Sequence, residues 1–348
     1  MRVAILELRS DDPMATGYRG RAIAAFLGRH GHSVDVIAPD PRRLRDFTRF
    51  RFSLFSRVKR RVTNRRILPH LWDYVADELE PRLRHGAYDA IIARAHPVAH
   101  VLTRRVPGRK IVDVANVGYL ELYYSGGADL AEVEETYRME QAIYAAAEAI
   151  LLPHPTLAAF FRRYVLDGAK VITVGLGCEP GGRAASYSAS PVIVYAGSYN
   201  YFQDPLLMAR LVAQSPYPIH FYGKQDPNRS FLPSRLDYRG YAPSLDFLAG
   251  YQLALVTVSQ DWLRRHSPAT KFPTYFAHGL PVLFPRWMEE GYAYAAAVPY
   301  DEGDFSQQAL RVGRDETTWL ELNHKALETA AALRWEQVLT PLLAALQA

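Results

Sequence analysis

The chain has 348 residues, of which 49% are hydrophobic and 22% charged, so it is long enough for two domains with separate cores and is not a disordered protein. Its single cysteine, Cys178, excludes an internal disulfide and a thiolate metal site, as is typical of a cytoplasmic protein. The net charge is +5, no apolar run reaches the roughly eighteen residues of a membrane span, and the apolar run at 2–8 is too short for a signal peptide.

Strands and helices alternate in the first half of the chain, beginning with a strand at 2–8, a glycine-containing loop at 11–20 and a helix at 21–31. Further strands are predicted at 32–40, 88–95, 110–116, 150–154 and 170–177, and further helices at 97–106, 129–149 and 156–168. This alternation is typical of a parallel, doubly wound sheet. We therefore expect residues 1–177 to form one Rossmann-like domain.

A segment rich in glycine, serine and proline at 178–191 lacks periodicity and is predicted to be an interdomain linker. The alternation then restarts, with strands at 192–198, 218–224, 235–241, 253–259 and 280–285 and helices at 205–215, 244–252, 267–279 and from Trp319 onward. We expect residues 192–333 to form a second Rossmann-like domain. Neither first strand is followed by the G-x-G-x-x-G spacing, which argues against an NAD-dependent enzyme.

The segment HSPATKFPTYFAHGLPVL (266–283) resembles the donor-site helix of GT-B glycosyltransferases. Other landmarks of that fold follow in the same order along the chain, at 170–180, 192–198, 236–259 and 334–346. The resemblance implies an α/β protein of GT-B architecture, with two Rossmann-like domains facing each other across a cleft. It further implies that the first domain binds the acceptor, that 192–333 binds the donor, and that the C-terminal helix, 334–348, packs on the first domain.

By this resemblance the chain is a glycosyltransferase, an enzyme of the EC 2.4 class. The donor would be a nucleotide-sugar, with a UDP-sugar favoured, and the acceptor a glycan, with a lipid-linked glycan favoured. The nucleotide-sugar is a co-substrate, so no cofactor is expected.

The chain departs from the retaining members of this architecture in the donor segment. Those enzymes commonly carry two glutamates eight positions apart, and the matching positions here are His266 and Thr274. Lys271 instead occupies the place of a lysine in the bacterial exopolysaccharide glucuronosyltransferases of the xanthan type. This pattern favours similarity to the xanthan-type enzymes and an inverting mechanism.

The donor segment also predicts a phosphate site. Ser267 followed by Pro268 has the pattern of a helix N-cap, which would place Thr270 and Lys271 in a first turn suited to gripping phosphate oxygens. A capped surface helix with a solvated lysine is the alternative. The full set of predicted donor-binding residues is Gly17, Gly197, Ser198, Tyr222, Gly223, Tyr241, His266, Ser267, Thr270, Lys271 and Thr274.

An inverting transfer needs a general base in the first domain. Asp113 is the first choice, while Asn116 is the closest match to the base aspartate of the xanthan-type enzyme although an amide cannot act as a base. Glu121 and His96 are the other candidates. Two acids of the first loop, Asp11 and Asp12, remain open as alternatives.

The sequence contains neither a D-x-D unit suited to a donor-bound divalent metal nor an H-x-x-x-H pair, so no metal site is predicted. The expected mechanism is metal-independent, with a helix dipole and the lysine replacing the ion.

The stretch 41–66 is densely basic and interleaved with aromatic residues. It predicts an interfacial element for an anionic membrane surface on the inner face, or a pocket for a lipid-pyrophosphate acceptor, and a solvated arginine-rich helix is the plain alternative. The residues singled out for this surface are Arg57, Lys59, Arg60 and Arg61. Nucleic-acid binding is disfavoured.

Two other functions remain as alternatives at this stage. One is a nucleotide-sugar epimerase with the same two-domain fold. The other is a non-enzymatic protein that binds nucleic acid or a membrane and uses the Rossmann halves as a scaffold.

Overall fold

A computed structural model describes residues 1–8, 15–40, 68–94, 96–126, 128–166, 170–179, 181–199, 201–223 and 236–347. The predicted basic surface with Arg57, Lys59, Arg60 and Arg61 lies outside these residues, as do Asp11 and Asp12. The chain divides into two compact units, one made of Met1–Gly175 with Leu339–Ala348 and the other of Leu176–Val338.

The first unit contains a six-stranded sheet in which every neighbouring pair is parallel. The strands are β1 (Arg2–Leu6), β2 (Ser33–Ile37), β3 (Ala90–Ala93), β4 (Arg109–Asp113), β5 (Ala149–Leu152) and β6 (Val171–Thr173), in the order β2-β1-β3-β4-β5-β6. The sequences AIIA and AILL form β3 and β5, whose residues are all buried. Such uninterrupted apolar runs are what a sheet covered on both faces requires.

Among the described residues, six helices connect these strands. They are α1 (Ala15–Arg29), α2 (Leu68–Gly86), α3 (His96–Ala99), α4 (Gly118–Ser125), α5 (Leu130–Ala146) and α6 (Pro155–Tyr164). Local sequence sets several of their ends: the Asp129 side chain accepts from the Glu132 N–H at 2.8 Å, which caps α5, and proline opens α6.

The second unit repeats the arrangement with another six-stranded parallel sheet. Its strands are β7 (Ile193–Ala196), β8 (Ile219–Tyr222), β9 (Asp237–Gly240), β10 (Leu253–Leu255), β11 (Val282–Pro285) and β12 (Ala297–Tyr300), in the order β12-β11-β10-β7-β8-β9. Its helices are α7 (Pro205–Gln214), α8 (Trp262–His266), α9 (Lys271–Phe276), α10 (Phe305–Arg314), α11 (Glu316–Ala332) and α12 (Trp335–Val338).

The segment 178–191 is tied to the second unit by backbone hydrogen bonds. Gly181 donates to the Ala277 carbonyl at 3.1 Å, and Ala185 donates to the His278 carbonyl at 2.8 Å. The last helix, α13 (Thr340–Gln347), belongs to the first unit, where it contacts β6.

The predicted α/β class with two parallel sheets is confirmed, while several element boundaries differ. The loop predicted at 11–20 is in part helical, because α1 already begins at Ala15 and so contains Gly17. The helices predicted at 97–106 and 244–252 are short 3-10 turns in whole or in part. Helices α2, α4, α8 and α10 and strand β12 were not predicted from the sequence. Within the described residues, no helix has the length and apolar character needed to cross a membrane.

Candidate functional site

The sheet of the second unit changes direction between β7 and β10. The chain runs outward from β7 to β9 and then returns to the other side of β7 to form β10. In open α/β sheets, ligands bind outside the carboxyl ends of the strands at such a switch point. Gly197 follows β7 there, and Gly223 follows the neighbouring β8.

Two glycines allow the loops after β7 and β8 to approach closely. Gly197 donates its N–H to the Tyr222 carbonyl at 2.8 Å and has a φ of +152°, which favours glycine. A Cβ placed on Gly223 would lie 1.8 Å from the Gly197 carbonyl oxygen. A Cβ on Gly197 would lie 2.9 Å from the Lys271 Nζ, so this backbone lies directly against the ammonium group.

Lys271 supplies a positive charge at this place. Its Nζ donates to the Gln203 Oε1 at 2.9 Å and lies 5.0 Å from the centre of the Tyr195 ring. Burial, and after it the charge of Arg264, lowers the pKa of Lys271 to about 8. Across the described part of the chain, no acidic side chain pairs with this ammonium. A partly buried ammonium of this kind is chemically suited to bind an anion.

The segment before Lys271 differs from its prediction. Ser267 ends α8 and donates its buried hydroxyl to the Leu263 carbonyl at 2.8 Å, so it does not cap a following helix. Helix α9 begins only at Lys271, and Thr270 occupies the N-cap position without a side-chain capping bond. The N-terminus that the sequence predicted at Pro268 is therefore wrong, because Ser267 is already engaged by the preceding turn.

Two glutamates hold this segment in place. The Ala269 N–H donates to the Glu290 Oε2 at 2.5 Å, and burial raises the pKa of Glu290 to about 8 although this N–H opposes the rise. His266 contacts Glu289 through its Nδ1 at 2.9 Å, and Arg265 donates to the other oxygen of Glu289 at 2.9 Å. His266 is thus part of a hydrogen-bonded cluster with Glu289 and Arg265.

The remaining predicted donor residues of the second unit make separate contacts. Thr274 donates its hydroxyl to the Thr270 carbonyl at 2.9 Å, and the Ser198 carbonyl accepts from the Tyr195 hydroxyl at 2.8 Å. The Tyr222 ring packs on Phe247 with centroids 4.0 Å apart.

Tyr241, just after β9, is 45% exposed. Its ring is therefore accessible for stacking. Gly17 lies in the first unit and in the first turn of α1.

The switch point of the first unit, between β1 and β3, has its charges paired internally. The buried Asp113 accepts from Arg19 at 3.0 Å and from Arg94 at 2.8 Å, and Arg94 also binds Glu7 at 2.9 Å. Burial raises the pKa of Asp113, but the two guanidinium groups outweigh it and leave the pKa below its usual value. This carboxylate, with both oxygens engaged, is a structural ion-pair partner, so the geometry does not favour Asp113 as a base.

Asn116 and Glu121 lie together just beyond β4. The Asn116 amide donates to the Glu121 Oε1 at 2.8 Å, while its own oxygen accepts from the Val117 N–H at 3.0 Å. Glu121 stands half-buried in the first turn of α4. His96 is the first residue of α3.

Sequence reasoning did not find Glu140 on α5, which is fully buried near the same turn. Burial raises the pKa of Glu140 to about 8, opposed by the Gly118 N–H. The sequence does contain a signal for it, because a charged residue stands at a position of α5 where the helical pattern calls for an apolar one.

Within the described residues, no group of three or more histidines, cysteines and carboxylates is arranged to hold a metal ion.

Comparisons with known proteins identify the fold. No protein-family model matches the chain, and no curated protein matches it in sequence. Among solved structures, it is similar to a sucrose-phosphate synthase from Thermosynechococcus elongatus, with 15% identity, a TM-score of 0.73 and coverage of 99% of this chain and 98% of that one.

A UDP-forming α,α-trehalose-phosphate synthase from Burkholderia xenovorans, in complex with glucose-6-phosphate, matches with 12% identity, a TM-score of 0.68 and coverage of 100% of both chains. The Anabaena protein HepE, in complex with UDP and glucose, matches with 11% identity, a TM-score of 0.68 and coverage of 100% of this chain and 99% of that one. The chain therefore has the GT-B fold, as the sequence resemblance implied.

Proposed function

We propose that the protein is a glycosyltransferase that moves a sugar from a nucleotide-sugar, with a UDP-sugar favoured, to a hydroxyl group of a glycan. The observation that carries this proposal is the ammonium of Lys271, held beside Gly197 at the switch point without an acidic partner among the described residues. Two solved proteins of the same fold are a sucrose-phosphate synthase and a UDP-forming trehalose-phosphate synthase, and a third, HepE, was solved in complex with UDP and glucose.

Lys271 binds the diphosphate of the donor in this scheme. When the bond between the sugar and the phosphate oxygen breaks, negative charge grows on that oxygen. A fixed ammonium stabilises the charge where it develops, and its partial burial strengthens the interaction. The close backbone at Gly197 and Gly223 places the Lys271 ammonium directly against the end of β7, and the exposed ring of Tyr241 offers a stacking surface to the base.

Glu121 is the general base of the proposed reaction. As the acceptor oxygen bonds to the anomeric carbon, its proton passes to the Glu121 carboxylate and the nucleoside diphosphate leaves from the opposite face. This displacement inverts the anomeric configuration. Asn116 orients the carboxylate by its 2.8 Å hydrogen bond, which gives that residue a role that an amide can perform.

The finer assignments extend the same proposal. We expect a mechanism without a divalent metal and a lipid-linked glycan as the acceptor. We also expect the enzyme to be similar to the xanthan-type glucuronosyltransferases of exopolysaccharide synthesis. The basic stretch 41–66 supports peripheral attachment to an anionic membrane surface on the cytoplasmic side, since each basic residue near such a surface contributes about 1 kcal/mol.

Binding of UDP, measured by calorimetry, tests the donor site. The wild-type protein should bind UDP, and Lys271→Met should weaken binding by about tenfold or more, because a charge-assisted hydrogen bond is worth about 1.5–3 kcal/mol. Lys325→Met is the matched control, because Lys325 is a surface lysine paired with Glu321. Absence of UDP, GDP and dTDP binding in the wild-type protein would contradict the proposal.

Turnover tests the base and separates the competing reactions. Glu121→Gln should lower kcat by about 10²–10⁴ while UDP binding is unchanged. Activity should persist in EDTA if no metal takes part. Conversion of a nucleotide-sugar to its epimer without any acceptor would instead establish the epimerase alternative.

A further inference from the structure

A short 3-10 turn after β11, Glu289–Ala293, carries a buried glutamate to which the proposed reaction gives no role. Glu290 is only 1% exposed, and burial raises its pKa to about 8. Burying an ionisable carboxyl is unfavourable unless hydrogen bonds satisfy its oxygens. The partners of Glu290 therefore show which part of the protein this carboxyl holds.

Both oxygens of the Glu290 carboxyl are bound close to the start of α9. The Oε2 accepts from the Ala269 N–H at 2.5 Å, and the Oε1 accepts from the Tyr294 hydroxyl at 3.0 Å. The Ala269 carbonyl in turn accepts from the Phe272 N–H at 3.2 Å. A single residue thus connects the carboxyl to the first turn of α9, and Lys271 is the first residue of that helix.

Tyr294 contacts the same helix with its ring. The centre of this ring lies 5.1 Å from that of Phe272 and 5.2 Å from that of Phe276, and both phenylalanines are fully buried. The hydroxyl of Tyr294 binds Glu290 while the ring packs on α9. The pair Glu290 and Tyr294 therefore fixes both the backbone before α9 and the buried side of the helix.

Helix α9 lacks a cap of its own that would define where it begins. It has six residues, and Thr270 at the N-cap position makes no capping bond with its side chain. Such a short helix is marginal by itself, so its position depends on contacts with the surrounding chain. The bond between Ala269 and Glu290 is such a contact, and it lies two residues before Lys271.

The ammonium of Lys271 makes close contacts that depend on where its backbone lies. Its Nζ is 2.9 Å from the Gln203 Oε1 and 5.0 Å from the centre of the Tyr195 ring, and a Cβ on Gly197 would lie 2.9 Å from it. A displacement of about 1 Å is enough to lose a hydrogen bond of this length. Whatever fixes the start of α9 therefore also fixes the ammonium.

We propose that Glu290 is a positioning residue of the donor site, which fixes the start of α9 and so holds the Lys271 ammonium against Gly197. The inference rests on the proposed function for the identity of the ligand. The position of the ammonium is a property of the protein alone, so it is measured without any ligand.

An NMR pH titration of the protein with isotope-labelled lysine side chains reports on the Lys271 amine directly. The Lys271 signal is identified by its absence from the spectrum of Lys271→Met, and in the wild type it should titrate near pH 8. Glu290→Ala should raise the midpoint by about half a unit or more toward 10.5, because a displaced amine is more exposed to water. Loss of a negative charge alone would lower the midpoint, so the direction separates displacement from electrostatics.

Two conservative variants test whether the hydrogen bonds carry this effect. Glu290→Gln keeps an acceptor oxygen for the Ala269 N–H and should titrate like the wild type. Tyr294→Phe keeps the ring on α9 and removes only the hydroxyl, so it should raise the Lys271 midpoint by less than Glu290→Ala does.

Calorimetry with UDP at pH 7 measures the consequence for binding. Glu290→Ala should raise the dissociation constant by about threefold to tenfold, and Glu290→Gln should retain most of the affinity. Val312→Ala is the control for lost stability, because Val312 is fully buried in α10 of the same unit. It should lower the melting temperature while leaving the Lys271 midpoint and the UDP affinity unchanged.

An unchanged Lys271 midpoint in both Glu290→Ala and Tyr294→Phe would overturn the inference, as would a Glu290→Gln variant that behaves like the alanine variant. If the midpoint moves as expected and the wild type binds no nucleotide, the donor proposal fails and the positioning role stands. If UDP binding depends on Lys271 but not on Glu290, the inference fails and the donor proposal stands.

Discussion

If Lys271 binds the diphosphate as proposed, its lowered pKa should make nucleotide binding pH-dependent. The amine of Lys271 carries its proton below about pH 8 and loses it as the pH rises through that value. Only the protonated form attracts a diphosphate. The dissociation constant for UDP should therefore be nearly constant below this pH and should increase by roughly tenfold between pH 7 and pH 9.

Calorimetry at constant ionic strength measures this profile, and UDP is a suitable probe because phosphate groups are largely ionised above pH 7. Lys271→Met should bind weakly at every pH and show no slope. Lys271→Arg should also be flat, since a guanidinium stays charged over the whole range. The same slope in the methionine variant, or a flat profile in the wild type, would refute the assignment.

A second measurement separates a lost ligand contact from a lost fold. Because the folded state lowers the pKa of Lys271 from 10.5, the unfolded chain holds this proton more tightly, and the charged lysine destabilises the folded protein at neutral pH. Lys271→Met should therefore raise the melting temperature at pH 7 while abolishing the pH-dependent binding. The gain in stability should shrink as the pH rises through 8 toward 10.5.

Two further changes test the packing that positions the site. Gly223→Ala should lower the free energy of unfolding, measured by urea titration, by about 1–3 kcal/mol and should reduce UDP affinity, because its Cβ would lie 1.8 Å from the Gly197 carbonyl oxygen. Gly182→Ala is the control, because a Cβ there meets open space and should have little effect on stability. Asp113→Ala should destabilise the first unit by about 3–5 kcal/mol, because it leaves Arg19 and Arg94 buried without their shared carboxylate. The stabilisation by Asp113 is present above its ordinary pKa of 3.8 and is lost as the pH falls through the lower value of the folded state, so the wild-type and variant unfolding curves should converge in acid. Equal stability of Asp113→Ala at pH 7 would contradict this role.

The fold was predictable because its signals are local. Buried parallel strands are short apolar runs, and AIIA and AILL in the first unit show this directly. The errors also have local causes. The residues DFLAG at 246–250 carry apolar spacing that suits a 3-10 turn as well as an α-helix, so the pattern alone did not separate them. Serine is a residue type that favours the N-cap position, but the Ser267 hydroxyl already donates a hydrogen bond to the preceding helical turn.

The site was predictable only in part, because its contacts join distant residues. Lys271 was predicted from the resemblance of the donor segment and Gly197 from the turn after the strand at 192–198. The side-chain amide oxygen of Gln203, which accepts from the Lys271 ammonium, is separated from it by 68 positions. Asp113 could not be excluded as a base from sequence, since the arginines that neutralise it lie 94 and 19 positions away. Pairing of this kind depends on strand order, which residue types alone do not define.

The repeated fold places a comparable switch point in each unit, and charge decides which of them suits an anion. In the first unit, Arg19 and Arg94 face the carboxylates of Asp113 and Glu7, so their positive charge is neutralised inside the protein. An anion binding there would have to displace a buried carboxylate and leave it without a partner, which costs several kcal/mol.

In the second unit, Lys271 contacts a neutral amide oxygen and an aromatic ring. A diphosphate binding there replaces only a weak contact and relieves the unfavourable burial of the ammonium. The same topology therefore leaves an ammonium without an acidic partner among the described residues of one unit and builds an internal ion-pair network in the other. In the first unit, the Glu121 carboxylate stands half-buried on α4, outside this neutralised network.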